Sequence, residues 1–175
     1  MVPSSLSKLG PKFIGFILMD SGVLRPESIF NIEGVNMYIL RTKSEFDSAH
    51  FLKDYEGRCA NIHGHRWIVA IEVGSEEVKS EGPDRGMVVD FGKLKDDLKA
   101  ETYKLDHTLL LEKGSLRETT MAAMKEEGFS MIELDFRPTA ENLAKYFFDI
   151  MSTKGYHVIR ARVFETPENC AEYTE

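Results

Sequence analysis

Four segments with the pattern of β-strands restrict the fold of this chain more than any other feature. Two lie before residue 75 and two lie after residue 156. They combine aromatic and β-branched residues with partial or strict alternation of apolar and polar positions, which is typical of half-buried antiparallel strands. The segments are MYILRTKSEF (37–46), RWIVAIEVG (66–74), HVIRARVFE (157–165) and AEYTE (171–175).

Two long helices are predicted between these pairs of strands. Leucines recur at helical spacing in FGKLKDDLKAETYKL (91–105), which gives one buried stripe and one solvated face. A second helix is predicted after Pro138, with Thr139 as N-cap or first-turn residue, and it ends near Gly155. The order of elements favours an α+β fold over a parallel α/β sheet. We therefore expect a four-stranded antiparallel sheet with two helices packed on one face.

Two shorter elements are predicted in the centre of the chain. The apolar stretch MVVDF (87–91) reads as a short strand. Residues 115–127 read as a separate helix, because Ser115 and Glu118 have the spacing of a capping box and Gly128 suits a C-cap.

Composition limits the class of protein. Apolar residues make up 42% and charged residues 29% of the 175 residues, as in one soluble globular domain. The net charge of −7 argues against a nucleic-acid partner, because the 22 basic residues are interspersed with 29 acidic ones. The apolar run FIGFILM (13–19) is too short to span a membrane. Two cysteines more than a hundred residues apart fit a reducing cytoplasm.

Residues 1–36 are interpreted as a tail or appendage. They contain several prolines and glycines but no sustained hydrophobic period. The folded domain is expected to begin near Met37, so an early start codon is an alternative explanation for the residues before it.

Three histidines form the strongest candidate for a metal site. His63 and His65 are separated by one residue, so both side chains point to the same side of an extended chain. His50 ends the first strand region and would lie beside them if the two strands form a hairpin. Three histidines with one open position are typical of catalytic zinc, although such residues can also be plain surface or strand-end histidines.

Four further residues are candidates for chemistry. Cys59 precedes His63 by four positions; beside a cation and a metal it could act as nucleophile or base, or else be an inert buried thiol. Asp106 could orient His107 as a general acid or base, but adjacent side chains diverge on regular structure, and a capping aspartate with a bystander histidine is the simpler interpretation. Glu165 ends a strand and could accept two hydrogen bonds from a heterocycle, although a solvated strand end is the simpler interpretation of this residue alone.

Six motifs in one order resemble the 6-pyruvoyl-tetrahydropterin synthase family. They are FDSAH, CANIHGHRW, GMVVDF, LDHTLL, RPTAENLAKYFFD and VFETPENCAEY. They are most similar to the family's bacterial branch, the 6-carboxy-tetrahydropterin synthases of the queuosine pathway, which share the short gap between Cys59 and His63. The resemblance covers residues 37–175. It leaves residues 1–36 unexplained, as well as an extra helix at about 113–131, which we interpret as an insertion.

The resemblance implies a zinc-dependent cytoplasmic enzyme with the tunnelling fold, whose sheets join into a trimeric or hexameric barrel with active sites between subunits. The implied substrate is 7,8-dihydroneopterin triphosphate, and a basic patch that includes Lys53, Arg58 or Arg66 would hold its phosphates. The alternatives are a pyruvoyl-forming synthase and a non-catalytic zinc-stabilised binding module. The implied roles are zinc ligation by His50, His63 and His65; catalysis by Cys59, Asp106 and His107; pterin anchoring by Glu165; and, less directly, pterin-pocket lining by Thr139 and Glu141.

Overall fold

A six-stranded sheet organises residues 36–175, the part of the chain that this computed structural model describes. The strands are β1 (Tyr38–His50), β2 (His63–Ser75), β3 (Thr108–Glu112), β4 (Met131–Leu134), β5 (Val158–Phe164) and β6 (Cys170–Tyr173). The helices are α1 (Phe91–Leu105), α2 (Glu118–Glu126) and α3 (Ala140–Thr153), with a short 3₁₀ turn at Arg58–Ala60. In space the strands follow the order β4-β3-β1-β2-β5-β6.

The α+β class is confirmed, but the sheet is larger than predicted. Strands β1, β2, β5 and β6 pair antiparallel, as their alternation indicates. Strands β3 and β4 extend the sheet beside β1, and both of these pairings are parallel. The prediction of four antiparallel strands was therefore wrong, because it missed two short strands at one edge.

The main core lies between one face of the sheet and helices α1 and α3. Alternate side chains of β2, from Trp67 to Val73, are at most 2% exposed. Leu94 and Leu98 of α1 and Phe147 of α3 belong to the same buried cluster. The two long helices therefore pack on one face of the sheet, as predicted.

Helix α2 lies over the opposite face of the sheet, near the β3–β4 edge. Leu110 of β3 belongs to the main core, whereas its neighbours Leu109 and Leu111 form a second buried cluster. Met121 and Met124 of α2 pack against that second cluster. Since successive side chains of a strand point to opposite faces, β3 is covered on both sides.

Two local predictions were wrong. Residues 87–90 form no strand; Asp90 instead caps helix α1, where its side chain accepts a hydrogen bond of 2.9 Å from the backbone nitrogen of Lys93. Helix α2 is present but lacks the predicted capping box. The backbone nitrogen of Ser115 donates to Glu112 in the turn after β3, and the helix begins only at Glu118.

The segment at 1–35, including the apolar run at 13–19, lies outside the described residues. Between residues 36 and 175, none of the helices has the length and apolar character needed to cross a bilayer.

Core packing of α1 gives a test of this architecture. Leu98→Ala should lower the free energy of unfolding by about 2–5 kcal/mol, because a fully buried side chain would leave a cavity. Tyr103→Ala, in the same helix, should change it by less than about 0.5 kcal/mol, since exposed positions contribute little; the Tyr103 side chain is 75% exposed. Urea unfolding at one fixed protein concentration measures both, and equal effects would contradict the packing.

Candidate metal centre and thiol pocket

The pairing of β1 with β2 brings the three predicted histidines together. His50 lies directly opposite His63, and Ser48 lies opposite His65, in the antiparallel register. Ring centroids are separated by 4.4 Å for His50 and His63, 5.0 Å for His63 and His65, and 5.2 Å for His50 and His65. All three rings lie on the face of the sheet that carries Trp67, whose indole packs against His50 and His65.

Backbone carbonyls fix the orientation of two of these rings. His50 Nδ1 lies 2.7 Å from the carbonyl oxygen of Pro138, and His63 Nδ1 lies 2.8 Å from that of Asn61. A carbonyl can only accept a hydrogen bond, so each ring donates from Nδ1 and keeps Nε2 as its free lone pair. Ligating histidines characteristically show this arrangement, in which the second nitrogen is held by an outer partner.

The free nitrogens fit a metal ion. His50 Nε2 and His65 Nε2 are buried and have no hydrogen-bond partner among residues 36–175. Burial lowers the pKa of both histidines, which favours the neutral imidazole that a metal requires. Buried polar atoms are normally satisfied, so unpartnered nitrogens that converge on one point form a candidate site for a metal ion.

Glu165 adds a carboxylate to this group. Its Oε1 lies 3.4 Å from His50 Nε2 and 3.6 Å from His65 Nε2. One donor atom from each of the three histidines and from Glu165 lies within 4.8 Å of the others. Imidazole with carboxylate suits zinc and neighbouring transition metals rather than calcium or magnesium. Spacing along the sequence does not connect Glu165 with the histidines, because its closeness to them depends on the pairing of β2 with β5.

Cys59 lies in the same region, on the 3₁₀ turn between β1 and β2. It is partly buried, and Leu52 N donates a hydrogen bond of 2.8 Å to its carbonyl oxygen. A cavity of about 310 Å³ is lined by Cys59, His50 and Glu165, and also by Thr139 and Glu141. Five of the residues singled out from the sequence therefore meet in one cavity. Three residues that no sequence motif singles out also line it: Tyr55, Asn169 and Cys170.

Asp106 and His107 form a hydrogen-bonded pair elsewhere on the chain. Asp106 Oδ2 lies 2.8 Å from His107 Nδ1, while Oδ1 accepts a bond of 2.8 Å from the backbone nitrogen of Asp47. That backbone bond lowers the pKa of Asp106 and keeps it ionised. His107 has a positive φ of 55°, a rare conformation that lets adjacent side chains meet. Asp106 is the C-cap residue of helix α1, as the simpler interpretation expects, but His107 is hydrogen-bonded to it and is not a bystander.

This pair does not line the cavity of Cys59. The His107 side chain is 79% exposed and lies in a separate groove of about 710 Å³, which also reaches His65 and Phe129. The two cavities share no lining residue. Within one chain, the thiol and the Asp106–His107 pair therefore belong to different surfaces.

One predicted phosphate-binding residue, Arg66, already forms an ion pair within the chain. Arg66 donates to both oxygens of Asp47, at 3.0 Å and 2.8 Å, on the face of the sheet opposite Trp67. Lys53 and Arg58 are exposed in the segment that leads to Cys59. They remain the better candidates for binding an anion beside the cavity.

Comparison with known proteins identifies the family of this chain. The sequence model described as 6-pyruvoyl tetrahydropterin synthase matches residues 39–175. The chain therefore belongs to the 6-pyruvoyl tetrahydropterin synthase family, whose members are enzymes.

The relatives by sequence carry one more specific name. A 6-carboxy-5,6,7,8-tetrahydropterin synthase of Haemophilus influenzae is 30% identical over 142 residues, covering 79% of this chain and 100% of that protein. An enzyme of the same name from Rickettsia bellii is 32% identical, covering 72% of this chain and 91% of that protein.

Solved structures support the fold. An uncharacterized protein of Wolinella succinogenes matches with a TM-score of 0.67 and 19% identity, covering 79% of this chain and 98% of that one. The 6-pyruvoyl tetrahydropterin synthase of Caenorhabditis elegans matches with a TM-score of 0.57 and 22% identity, covering 81% of this chain and 97% of that one.

Metal analysis tests the ligand set. His63→Ala and His65→Ala should each lose bound metal, because each removes a nitrogen from a site with few donors. Cys59→Ala should retain it, since the thiol is not among the four donor groups. Elemental analysis after gel filtration measures the metal-to-protein ratio. Full occupancy in either histidine variant would contradict the assignment, and loss of metal from Cys59→Ala would make the thiol a ligand.

Proposed function

We propose that this chain is a zinc-dependent 6-carboxy-tetrahydropterin synthase. Its reaction would convert 7,8-dihydroneopterin triphosphate and one water molecule to 6-carboxy-5,6,7,8-tetrahydropterin, acetaldehyde and triphosphate. The observation that carries the proposal is the shared cavity, in which Cys59 and Glu165 meet His50 of the histidine group. The name of the relatives in Haemophilus influenzae and Rickettsia bellii supports this product.

Zinc is the metal that we propose for the three histidines. Catalytic zinc sites use three protein ligands and one open position, and His50, His63 and His65 offer three nitrogens. When bound, zinc would act as a Lewis acid towards the hydroxyl and carbonyl oxygens of the substrate side chain. Glu165, on the same side, would be left for the substrate.

The protein side chains would bind the pterin and move protons. Cys59 would take a proton from a side-chain carbon of the substrate and return one later. Glu165 would accept two hydrogen bonds from the pterin edge, as a carboxylate does with paired donors. Thr139 and Glu141 would line the pterin pocket, because they share the cavity with Cys59.

The Asp106–His107 pair would act from a neighbouring subunit. Asp106 would hold the imidazole in one tautomer through the bond to Nδ1, so that Nε2 is free to exchange a proton. His107 is exposed and outside the cavity of its own chain, which fits a site completed between chains. Strands β4 and β6 end the sheet, and pairing between subunits would cover such edges.

We further propose that the enzyme acts in the cytoplasm, at a step towards 7-deazaguanine and queuosine. Both cysteines are free thiols, as expected for a reducing compartment. The assembly we propose is a trimer or hexamer.

Product analysis tests the reaction. Zinc-loaded protein incubated with 7,8-dihydroneopterin triphosphate should yield 6-carboxy-tetrahydropterin and one acetaldehyde per triphosphate, as measured by mass spectrometry and an aldehyde assay. A pyruvoyl product without acetaldehyde would instead establish the pyruvoyl-forming activity for which the family is named. An unchanged pterin in the presence of bound zinc would contradict both.

Glu165→Gln separates anchoring from metal binding. The amide would offer a mismatched donor to the pterin edge, so we expect a Michaelis constant raised by about tenfold or more. Metal content should be unchanged. Loss of metal would make Glu165 a fourth ligand, whereas an unchanged Michaelis constant with normal metal would remove it from the substrate pocket.

Mixed refolding tests the shared site. Cys59→Ala and His107→Ala should each be inactive, and a mixture denatured and refolded together should regain partial activity. Only mixed oligomers would contain sites with one intact face from each parent. Each parent refolded alone is the control. A mixture that stays inactive while mass analysis of tagged chains shows mixed oligomers would place the whole site within one chain.

A further inference from the structure

The turn between β4 and α3 contacts both parts of the candidate site. In this segment, residues 135–139, Pro138 is buried and offers the carbonyl that accepts from His50 Nδ1 at 2.7 Å. The last residue of the segment, Thr139, lines the cavity of Cys59. Two side chains, from Arg137 and Asn142, hold this turn in place.

Asn142 fixes the turn from the side of helix α3. Its Nδ2 donates to the carbonyl oxygen of Arg137 at 3.0 Å, and the backbone nitrogen of Thr139 donates to the same oxygen at 2.8 Å. The carbonyl of Arg137 is thus held by two donors. The following carbonyl, that of Pro138, accepts from His50 Nδ1. Asn142 therefore contacts the carbonyl next to the one that holds His50.

Arg137 fixes the turn to the segment that carries Cys59. Its guanidinium Nη2 donates to the carbonyl oxygen of Lys53, 84 positions away in sequence. Lys53 lies in a loop that is closed by the bond of 2.8 Å from Leu52 N to the carbonyl oxygen of Cys59. The side chain of Arg137 is therefore a direct tether between the turn and the loop of the thiol.

We propose that Arg137 and Asn142 are positioning residues with separate targets, Arg137 for the Cys59 loop and Asn142 for the metal ligand His50. The value of this division for turnover rests on the proposed function. The effects of Asn142 on metal affinity and of Arg137 on thiol reactivity do not depend on the proposed reaction, because both are measured without substrate. Neither residue lines the cavity of Cys59.

The test uses one conservative variant of each residue. Asn142→Asp keeps the size of the side chain and suits the third position of helix α3, where a negative charge is favourable, but removes the donor. Arg137→Met keeps an unbranched apolar stem and removes the guanidinium. Thermal unfolding of both variants is recorded, so that a general loss of stability is detected.

Two readouts are compared in both variants. Zinc affinity is measured by competition with a chromophoric chelator. Alkylation of Cys59 by iodoacetamide is followed by peptide mass spectrometry, with an added cysteine-containing peptide in the same sample as a reference for reagent activity, because Cys170 lines the same cavity as Cys59.

The expected result is a crossed pattern. Asn142→Asp should weaken zinc binding by about tenfold, the lower end of what loss of an outer-shell partner causes, and leave alkylation of Cys59 unchanged. Arg137→Met should accelerate alkylation of Cys59 severalfold and leave zinc affinity unchanged, with Arg137→Lys restoring part of the protection.

Other patterns overturn the proposal. If both variants change both readouts together, the turn loosens as one unit and the division is wrong. If neither readout moves in either variant, the contacts have no positioning role. A crossed pattern in a protein that does not convert the pterin would support the positioning roles of Arg137 and Asn142 and contradict the proposed function.

Discussion

The register between β1 and β2 is the constraint on which both the core and the candidate site depend. His50 faces His63 and Ser48 faces His65 only in this alignment. Because successive side chains of a strand point to opposite faces, a slip of the pairing by one residue would move all the inward-facing side chains of that strand to the other face of the sheet. The same slip would expose the alternate residues of β2, from Trp67 to Val73, that are now buried. Burial of the core therefore selects the alignment that brings the three candidate metal ligands together.

Neighbouring elements complete the site from both sides of this hairpin. The pairing of β2 with β5 aligns Ile68 with Phe164, so Glu165 continues towards the position of Trp67, beside His65. The turn before α3 supplies the carbonyl that orients His50. These partners restrict the orientation of His50 and His65, whose neutral forms are favoured because burial lowers the pKa of both, so the candidate metal site is already organised.

Much of this arrangement could be predicted from the sequence because it depends on local pattern. Alternation marked β1, β2 and β5, and the spacing of His63 and His65 on one strand placed them on one side. The capping role of Thr139 could also be predicted, and in the structure its side chain accepts a hydrogen bond from the backbone nitrogen of Asn142. In each case the residues that decide the structure are close in sequence.

The parts that could not be predicted depend on contacts between distant segments. Strand β3 is covered on both faces, so its leucines show no alternation, as is common for strands in parallel pairs. Asp106 and His107 meet because of a positive φ and a hydrogen bond to Asp47 on β1, neither of which spacing reveals. Glu165 joins the histidines through strand pairing, and Arg137 reaches Lys53 across 84 positions. Local sequence patterns do not reveal contacts between residues that lie this far apart in the chain.

We propose that the three histidines hold the metal while the Cys59 thiol stays uncoordinated beside it. X-ray absorption at the zinc edge of the zinc-loaded protein tests this most directly, because nitrogen and sulfur ligands differ in bond length. We expect the zinc to be surrounded by nitrogen and oxygen atoms at about 2.0–2.1 Å, including those of three imidazoles, with no sulfur. A sulfur atom at about 2.3 Å would make Cys59 a ligand and contradict the account.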